Sequence, residues 1–250
     1  MDKHAEHFEH IGAQRDGRMG RNGLASTARF IPGITLSFRC ELSRQQKMPA
    51  GGSEKDTMAN RVFFTFHYKD VIDFRANVVR NHWLTKPDRE AAGFYDASIW
   101  ETARRQGDVA LKRLINGGLE NTTNTCVLIG SSTYSRPWVR YEILKSFKRG
   151  NHLFGVHINS IKGKDGLTKP SGPNPFQHVG VTFSASGATA TLWEKVGDNW
   201  VEYDNIDGSA SYQFQVSQEY RGNGYNLGNW YPVYDWNADN GFARFSDWLK

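Results

Sequence analysis

The chain has 250 residues with a formal charge of +5, and 38% of it is hydrophobic and 13% aromatic, ample for the core of one large domain or of one domain with additions. The positive charge is dispersed, with no block of five like charges, which argues against a nucleic-acid groove; and the only cysteines, Cys40 and Cys126, supply neither a disulfide framework nor a zinc cluster. No apolar run approaches the roughly 20 residues of a membrane span, and no signal segment opens the chain, so a cytoplasmic protein without membrane partners is expected.

Residues 1–57 show no sustained hydrophobic period, and MPAGGSEKDT at 48–57 reads as flexible linker. An unstructured leader is the expectation, with translation starting at Met58 as its simplest explanation. Regular pattern begins at 61–66, RVFFTF, a β-branched and aromatic run that reads as a strand. A polar loop, HYKD, follows, and VIDFRANVVRNHWL at 71–84 has its apolar positions at helical spacing. GFYD at 93–96 reads as a second short strand. Ser98 with Glu101 forms a capping-box signature for the next helix, and DVALKRLINGG at 108–118 places Leu111, Leu114 and Ile115 on one helical face.

The run TCVLI at 125–129 is too short for a helix and is bounded by Gly130 and two serines, as a buried strand would be. Pro137 then suits a first helical turn, and the helix runs to Gly150, a natural left-handed stop. HLFGVHI at 152–158 makes a further strand. Strands alternating with helices predict an α/β fold, a central parallel sheet flanked by helices. Beyond it the rhythm changes: IKGKDGLTKPSGPNPF is a Gly/Pro/Lys loop, TATLWEKVGDNWVEYD a hairpin turning at Gly197, Asp198 and Asn199, and FARFSDWL a closing helix packing Phe242, Phe245, Trp248 and Leu249. The expected division is a core over 58–160 and a C-terminal extension over 161–250 packed on that core.

Chemistry concentrates at SSTYSRPWVRYE, residues 131–142. Trp138 and Glu142 are four apart and share a helix face, directly behind a buried strand. In open α/β sheets ligands bind beyond the carboxyl ends of the strands, which makes Glu142 a candidate reactive group. From composition alone it reads also as a solvated glutamate paired with a neighbouring Lys or Arg, and Trp138 as core packing that fixes the helix. The histidines show no metal-ligand spacing, so no metal is expected, and His157 reads as a hydrogen-bonded core histidine. Neither a phosphate-binding glycine loop nor a nucleophile elbow is present in context.

The segments RVFFTFHYKD, FYDASIWE and SSTYSRPWVRYE resemble the successive boxes of a TIR domain, with its W-x-x-x-E glutamate. NVVRNHW, ALKRLINGGL, WVRYEI, GPNPF and the late YDW extend the resemblance, from Met58 to the C-terminus, to the TIR-like proteins of the Thoeris antiphage system, the ThsB type. The resemblance implies a flavodoxin-like TIR fold with a C-terminal hairpin and helix extension. It also implies an enzyme that takes NAD as substrate, without a further cofactor, cleaves the ribose–nicotinamide bond and makes a cyclic ADP-ribose isomer. By the same resemblance Glu142 is the catalytic residue, Trp138 and Tyr141 border the pocket, Phe64, Thr65 and His67 fall in the first-box loop, and Asp96 with Trp100 flanks the second. Two departures stand out: Thr65 replaces the usual serine, and Val139 follows Trp138. The implied partner is a separately encoded effector reached through the nucleotide product, and TIR sites in general are completed by neighbouring copies. The competing reading is a non-catalytic TIR-type adaptor that works through protein–protein contacts.

Overall fold

The structure is a computed structural model that describes residues 60–95 and 97–249. The expectations for the leader 1–57, for Met58 as a start and for Asp96 lie outside the described residues.

Five parallel strands form the central sheet: β1 (Asn60–Thr65), β2 (Arg89–Ala92), β3 (Asn124–Ile129), β4 (His152–His157) and β10 (Val233–Asp235), in the order β10-β4-β3-β1-β2. For the first four this is the flavodoxin-like order, whose switch point lies between β1 and β3. Right-handed crossovers then dictate which face each helix covers. Helices α1 (Tyr68–Ile72) and α2 (Arg75–Leu84) lie on the face where Val62, Phe64, Cys126, Leu128 and Phe154 meet Ala76, Val79 and Trp83. Helices α4 (Asp108–Leu119) and α5 (Pro137–Arg149) lie on the face of Phe63, Val127, Ile129 and Leu153. Alternation along β1 thus divides Phe63 from Phe64, as the two-residue period of a strand requires.

Several local expectations are corrected. The second strand is Arg89–Ala92, not 93–96, because Gly93 takes a left-handed φ of 89° and passes so close to β1 that a Cβ would fall 2.1 Å from the Phe64 carbonyl oxygen. The helix anticipated over 71–84 is two helices, broken at Phe74 with φ 65°. Helix α3 (Ala97–Arg105) already includes Ser98, so Ser98 does not precede it as a cap; Glu101 pairs instead with Arg104 and Arg105.

Beyond β4 lies a second, antiparallel sheet: β5 (Val179–Phe183), β6 (Thr189–Val196), β7 (Asn199–Glu202) and β9 (Gly224–Asn226), with β8 (Ser211–Gln213) on β6. The anticipated hairpin is β6 and β7, turning through Gly197 and Asp198. Its apolar face, including Val179, Val181, Ala190 and Leu192, joins the same core as Val139, Tyr141, Ile143 and Phe147 of α5. Helix α5 is therefore enclosed between two sheets. The tail does more than pack on the core: β10 pairs with β4, and Trp236, Phe245 and Trp248 complete the α2 face. The final segment is α6 (Gly241–Arg244) continued by a 3-10 turn, Phe245–Trp248. Phe242 is the exception to the anticipated packing, 71% exposed, with its ring against His82.

Candidate active site

The segment that carries the site is set by local chemistry. After β3 the Gly130 N–H donates to Thr133 Oγ1 at 2.9 Å, a 3-10 turn spans Thr133–Ser135, and Pro137 opens α5 where its missing N–H costs nothing. At the other end Gly150 adopts φ 80°, and the N–H groups of Gly150 and Asn151 donate to Phe147 and Ser146 carbonyls, both at 3.0 Å.

Glu142 is only 6% exposed. Its Oε2 accepts a hydrogen bond from Thr65 Oγ1, at the carboxyl end of β1 beside the switch point. Burial pushes its carboxyl up to about 8, against the opposing pull of the Thr65 hydrogen bond. A helix surface glutamate pairs with solvent or a cation; among the described residues Glu142 meets no cation, and it is held by the Thr65 hydroxyl from the sheet.

An aromatic wall adjoins it. Tyr141 is fully buried, its phenol donating to Asn116 Oδ1 at 3.1 Å, and Trp138 meets it edge-on with ring centroids 5.7 Å apart. Trp100 stacks on Tyr95 at 6.1 Å with a 23° interplanar angle. The Tyr95 phenol donates to the Leu114 carbonyl at 3.0 Å; burial, followed by the nearby Glu142 carboxyl, raises its ionisation well above the ordinary tyrosine range. Tyr95 fits only because α4 carries Gly118, where a Cβ would fall 2.1 Å from the Tyr95 oxygen.

Of the residues named from sequence, Thr65 and Glu142 are brought into direct contact. Tyr141 and Trp138 lie on the same helix, and Trp100 reaches the group through Tyr95. His67 stands at the N-cap of α1, where its carbonyl accepts from the Asp70 N–H at 2.9 Å. Phe64 does not join them: it is fully buried on the opposite face of the sheet against Phe94 and Phe245, a consequence of strand alternation. Tyr95 is the residue the sequence reading passed over, although it sits inside the second box and the Gly117–Gly118 pair on α4 marks a close approach.

A groove of about 470 Å³ runs between α3 and α4, and a second of about 440 Å³ lies along α4 beside Ile206; Glu142 lines neither. Among the described residues no group of three or more His, Cys, Asp or Glu is placed to hold a metal ion, and no helix is long and apolar enough to cross a membrane.

The family model described as "Thoeris protein ThsB, TIR-like domain" matches residues 63–162, which include both Thr65 and Glu142. The Bacillus cereus (strain MSX-D12) protein named "Putative cyclic ADP-D-ribose synthase ThsB1" is 55% identical over 195 residues, covering 77% of this chain and 100% of that protein. Identity at that level along a relative's whole length, together with the flavodoxin-like sheet and the buried glutamate after β3, leads to one assignment: the chain belongs to the ThsB family of Thoeris proteins and carries its TIR-like domain.

Proposed function

We propose that the protein is an NAD-cleaving TIR enzyme of antiphage defence, which breaks the ribose–nicotinamide bond and makes a cyclic ADP-ribose isomer that activates a separately encoded effector. The observation that carries this reading is the buried Glu142, held by Thr65 at the switch point of the parallel sheet. The relative's name, a cyclic ADP-D-ribose synthase, supports the substrate and product class.

A single carboxylate suffices for the chemistry. Nicotinamide leaves NAD as a neutral molecule from a cationic pyridinium, so its departure needs no general acid, unlike ordinary glycoside hydrolysis. What requires stabilisation is the oxocarbenium-like ribose, and a buried carboxylate places negative charge where positive charge develops. In the ligand-free protein Glu142, pushed up to about 8, is mostly protonated at neutral pH. The pyridinium charge of a bound substrate favours the ionised form, so the charge the reaction needs arrives with the substrate. Thr65 fixes the carboxyl toward the sheet, and the Trp138–Tyr141 and Tyr95–Trp100 pairs exclude water. Water excluded, a nucleophile within the same molecule attacks the ribose and closes a ring; water admitted, the product is open ADP-ribose.

The test is direct: purified protein mixed with NAD is assayed for nicotinamide, and the second product is separated from ADP-ribose by chromatography. Release by the wild type and none by Glu142→Gln is the expected result. A protein that binds NAD without releasing nicotinamide, with or without infected-cell extract, favours the adaptor reading. Specific activity that rises with protein concentration would mark a site completed by a neighbouring copy.

A further inference from the structure

The Gly/Pro/Lys segment 159–174 is a strap drawn across the carboxyl ends of the central strands. Asn159 Nδ2 donates to the Pro170 carbonyl at 2.7 Å and to Ser131 Oγ at 3.0 Å, and the Lys169 N–H donates to the Asn159 carbonyl at 3.0 Å. Gly172 lies so close to β3 that a Cβ would fall 2.2 Å from the Gly130 carbonyl oxygen. The strap is latched from α2: buried Arg75 donates to the Ile161 carbonyl at 3.0 Å and to the Leu167 carbonyl at 2.7 Å, while Asp73 accepts from Arg75 at 2.7 Å and from Lys169.

Beneath this strap is a second carboxyl that the glutamate chemistry does not use. Asp70 is 5% exposed and presses on Gly130, where a Cβ would fall 2.2 Å from Oδ2. Among the described residues no donor reaches that Oδ2, nor Oδ1 of Asn159, which is 1% exposed. Burial holds the His157 imidazole below its ordinary range, opposed by Asp235 and then by Asn159, and among the described residues its Nδ1 makes no hydrogen bond. Two of the three cations acting on Asp70 are engaged elsewhere, Arg75 by Asp73 and by strap carbonyls and Lys169 by Asp73. Burial raises the Asp70 carboxyl to about 6, opposed first by Lys169 and also by Arg75 and Arg136, with Asp73 adding to the rise. A buried acceptor without a donor is costly, and here it stands at the end of the sheet where ligands of such folds bind.

The position relative to Glu142 is set by strand register. Thr65 pairs with Val127, three residues before Gly130, so the two carboxyls are offset by roughly 10 Å along the strand direction, and they approach the end of the sheet from opposite faces, Glu142 from the α5 side and Asp70 from the α1 side. A dinucleotide engaging both carboxyls would pass over the end of the sheet between β1 and β3, at the switch point. A carboxylate accepts a pair of sugar hydroxyls, which is how acidic residues hold ribose at the ends of other open α/β sheets.

We propose that Asp70, assisted by Asn159, is the hydroxyl-binding subsite for the second, adenosine-side ribose of the dinucleotide, uncovered when the strap lifts and Lys169 leaves Asp73. The inference rests on the NAD reading and deepens it. Hydroxyl donors from the sugar supply what Asp70 Oδ2 lacks, and the freed Lys169 ammonium becomes a counter-charge for the pyrophosphate.

The experiment titrates ADP-ribose into Glu142→Gln protein by calorimetry, with Asp70 and with Asp70→Asn, alongside amide hydrogen exchange. Asp70→Asn is expected to weaken ADP-ribose about 10- to 100-fold, the loss of a charged hydrogen bond, with its melting curve preserved. In the Asp70 protein, saturating ADP-ribose is expected to speed exchange at the strap amides of Gly163 and Lys169. Should Asp70→Asn fail to fold, Asp73→Asn decides: loosening the latch must tighten ADP-ribose binding several-fold. Equal affinity in the Asp70→Asn protein, undisturbed strap amides at saturation, or unchanged or weaker binding in Asp73→Asn each overturns the subsite. NAD turnover by the wild type without measurable ADP-ribose binding overturns it too. Neither turnover nor binding of NAD or ADP-ribose would sink the functional reading, and this subsite with it.

Discussion

The Thr65 hydroxyl and the Glu142 carboxyl form a hydrogen bond across 77 positions of sequence, inside the layer between β1 and α5. Among the described residues it is the one hydrogen bond tying that carboxyl to the sheet, so its loss should be felt in both orientation and ionisation. Thr65→Ser keeps the donor and should retain most NAD cleavage. Thr65→Ala should reduce kcat about 10- to 100-fold and, by removing the interaction that lowers the Glu142 carboxyl, move the acid limb of the pH–rate profile to higher pH. Nicotinamide release measured across pH 5 to 9 for both variants checks this; an unshifted profile in Thr65→Ala contradicts it.

Glu142→Gln should separate catalysis from stability. Turnover is expected to fall about 100-fold or more. The folded carboxyl, pushed up to about 8 from an ordinary 4.5, holds its proton while the unfolded chain has lost it. Between pH 4.5 and 8 the native state therefore binds more protons, and stability falls as pH rises. Glutamine has no such proton to lose. The variant should melt above the wild type at pH 8 by more than about 4 °C, with the difference shrinking toward pH 5. Thermal melts at the two pH values test the sign, and a wild type that gains stability relative to Glu142→Gln with rising pH would refute it.

The order of strands and helices was legible because buried parallel strands are short apolar runs punctuated by Gly and Pro, as at Thr125–Ile129, and because Pro137 and Gly150 mark both ends of α5. Glu142 was legible by its position behind such a strand and by the family resemblance. What sequence could not carry was set by tertiary contact. Gly93 looked like the start of a strand, yet its approach to the Phe64 carbonyl makes it the turn after one, and the polar Arg89–Ala92 becomes the edge strand. Phe64 and Phe63 are adjacent and equally apolar, so only the register of β1 reveals which faces α5. The strand Val233–Asp235 is three residues long, and its partner β4 lies far back in the chain.

That late strand has a consequence for dissection. A chain ending at Asn226 loses β10, Trp236, Phe245 and Trp248, and with them one edge of the parallel sheet and much of the cover over Phe64, Phe154 and Trp83. Burial of each large side chain contributes about 1.5–3 kcal/mol, comparable in sum with the whole stability of a domain. The truncated protein is expected to be insoluble or to lack a cooperative melt. A soluble truncation with a sharp thermal transition would show that the tail is a separable appendage.

Gly118 and Tyr95 supply a test of the aromatic wall independent of the carboxyl. Alanine favours a helix over glycine by about 1 kcal/mol, so on propensity alone Gly118→Ala should stabilise α4. The structure predicts the reverse, because the added Cβ would fall 2.1 Å from the Tyr95 oxygen and 3.0 Å from the Phe63 ring. Displacing Tyr95 also disturbs its stack on Trp100 and the wall beside Glu142. Gly118→Ala should therefore lower both melting temperature and NAD turnover, while Tyr95→Phe alone loses one hydrogen bond to the Leu114 carbonyl. Combined, the two changes should do less harm than their sum, since the phenylalanine lacks the oxygen that clashes; a coupling of about 0.5–3 kcal/mol is the expected range for residues in contact. A double-mutant cycle in thermal or urea unfolding measures it. Additive losses would mean that Tyr95 does not occupy the space above Gly118.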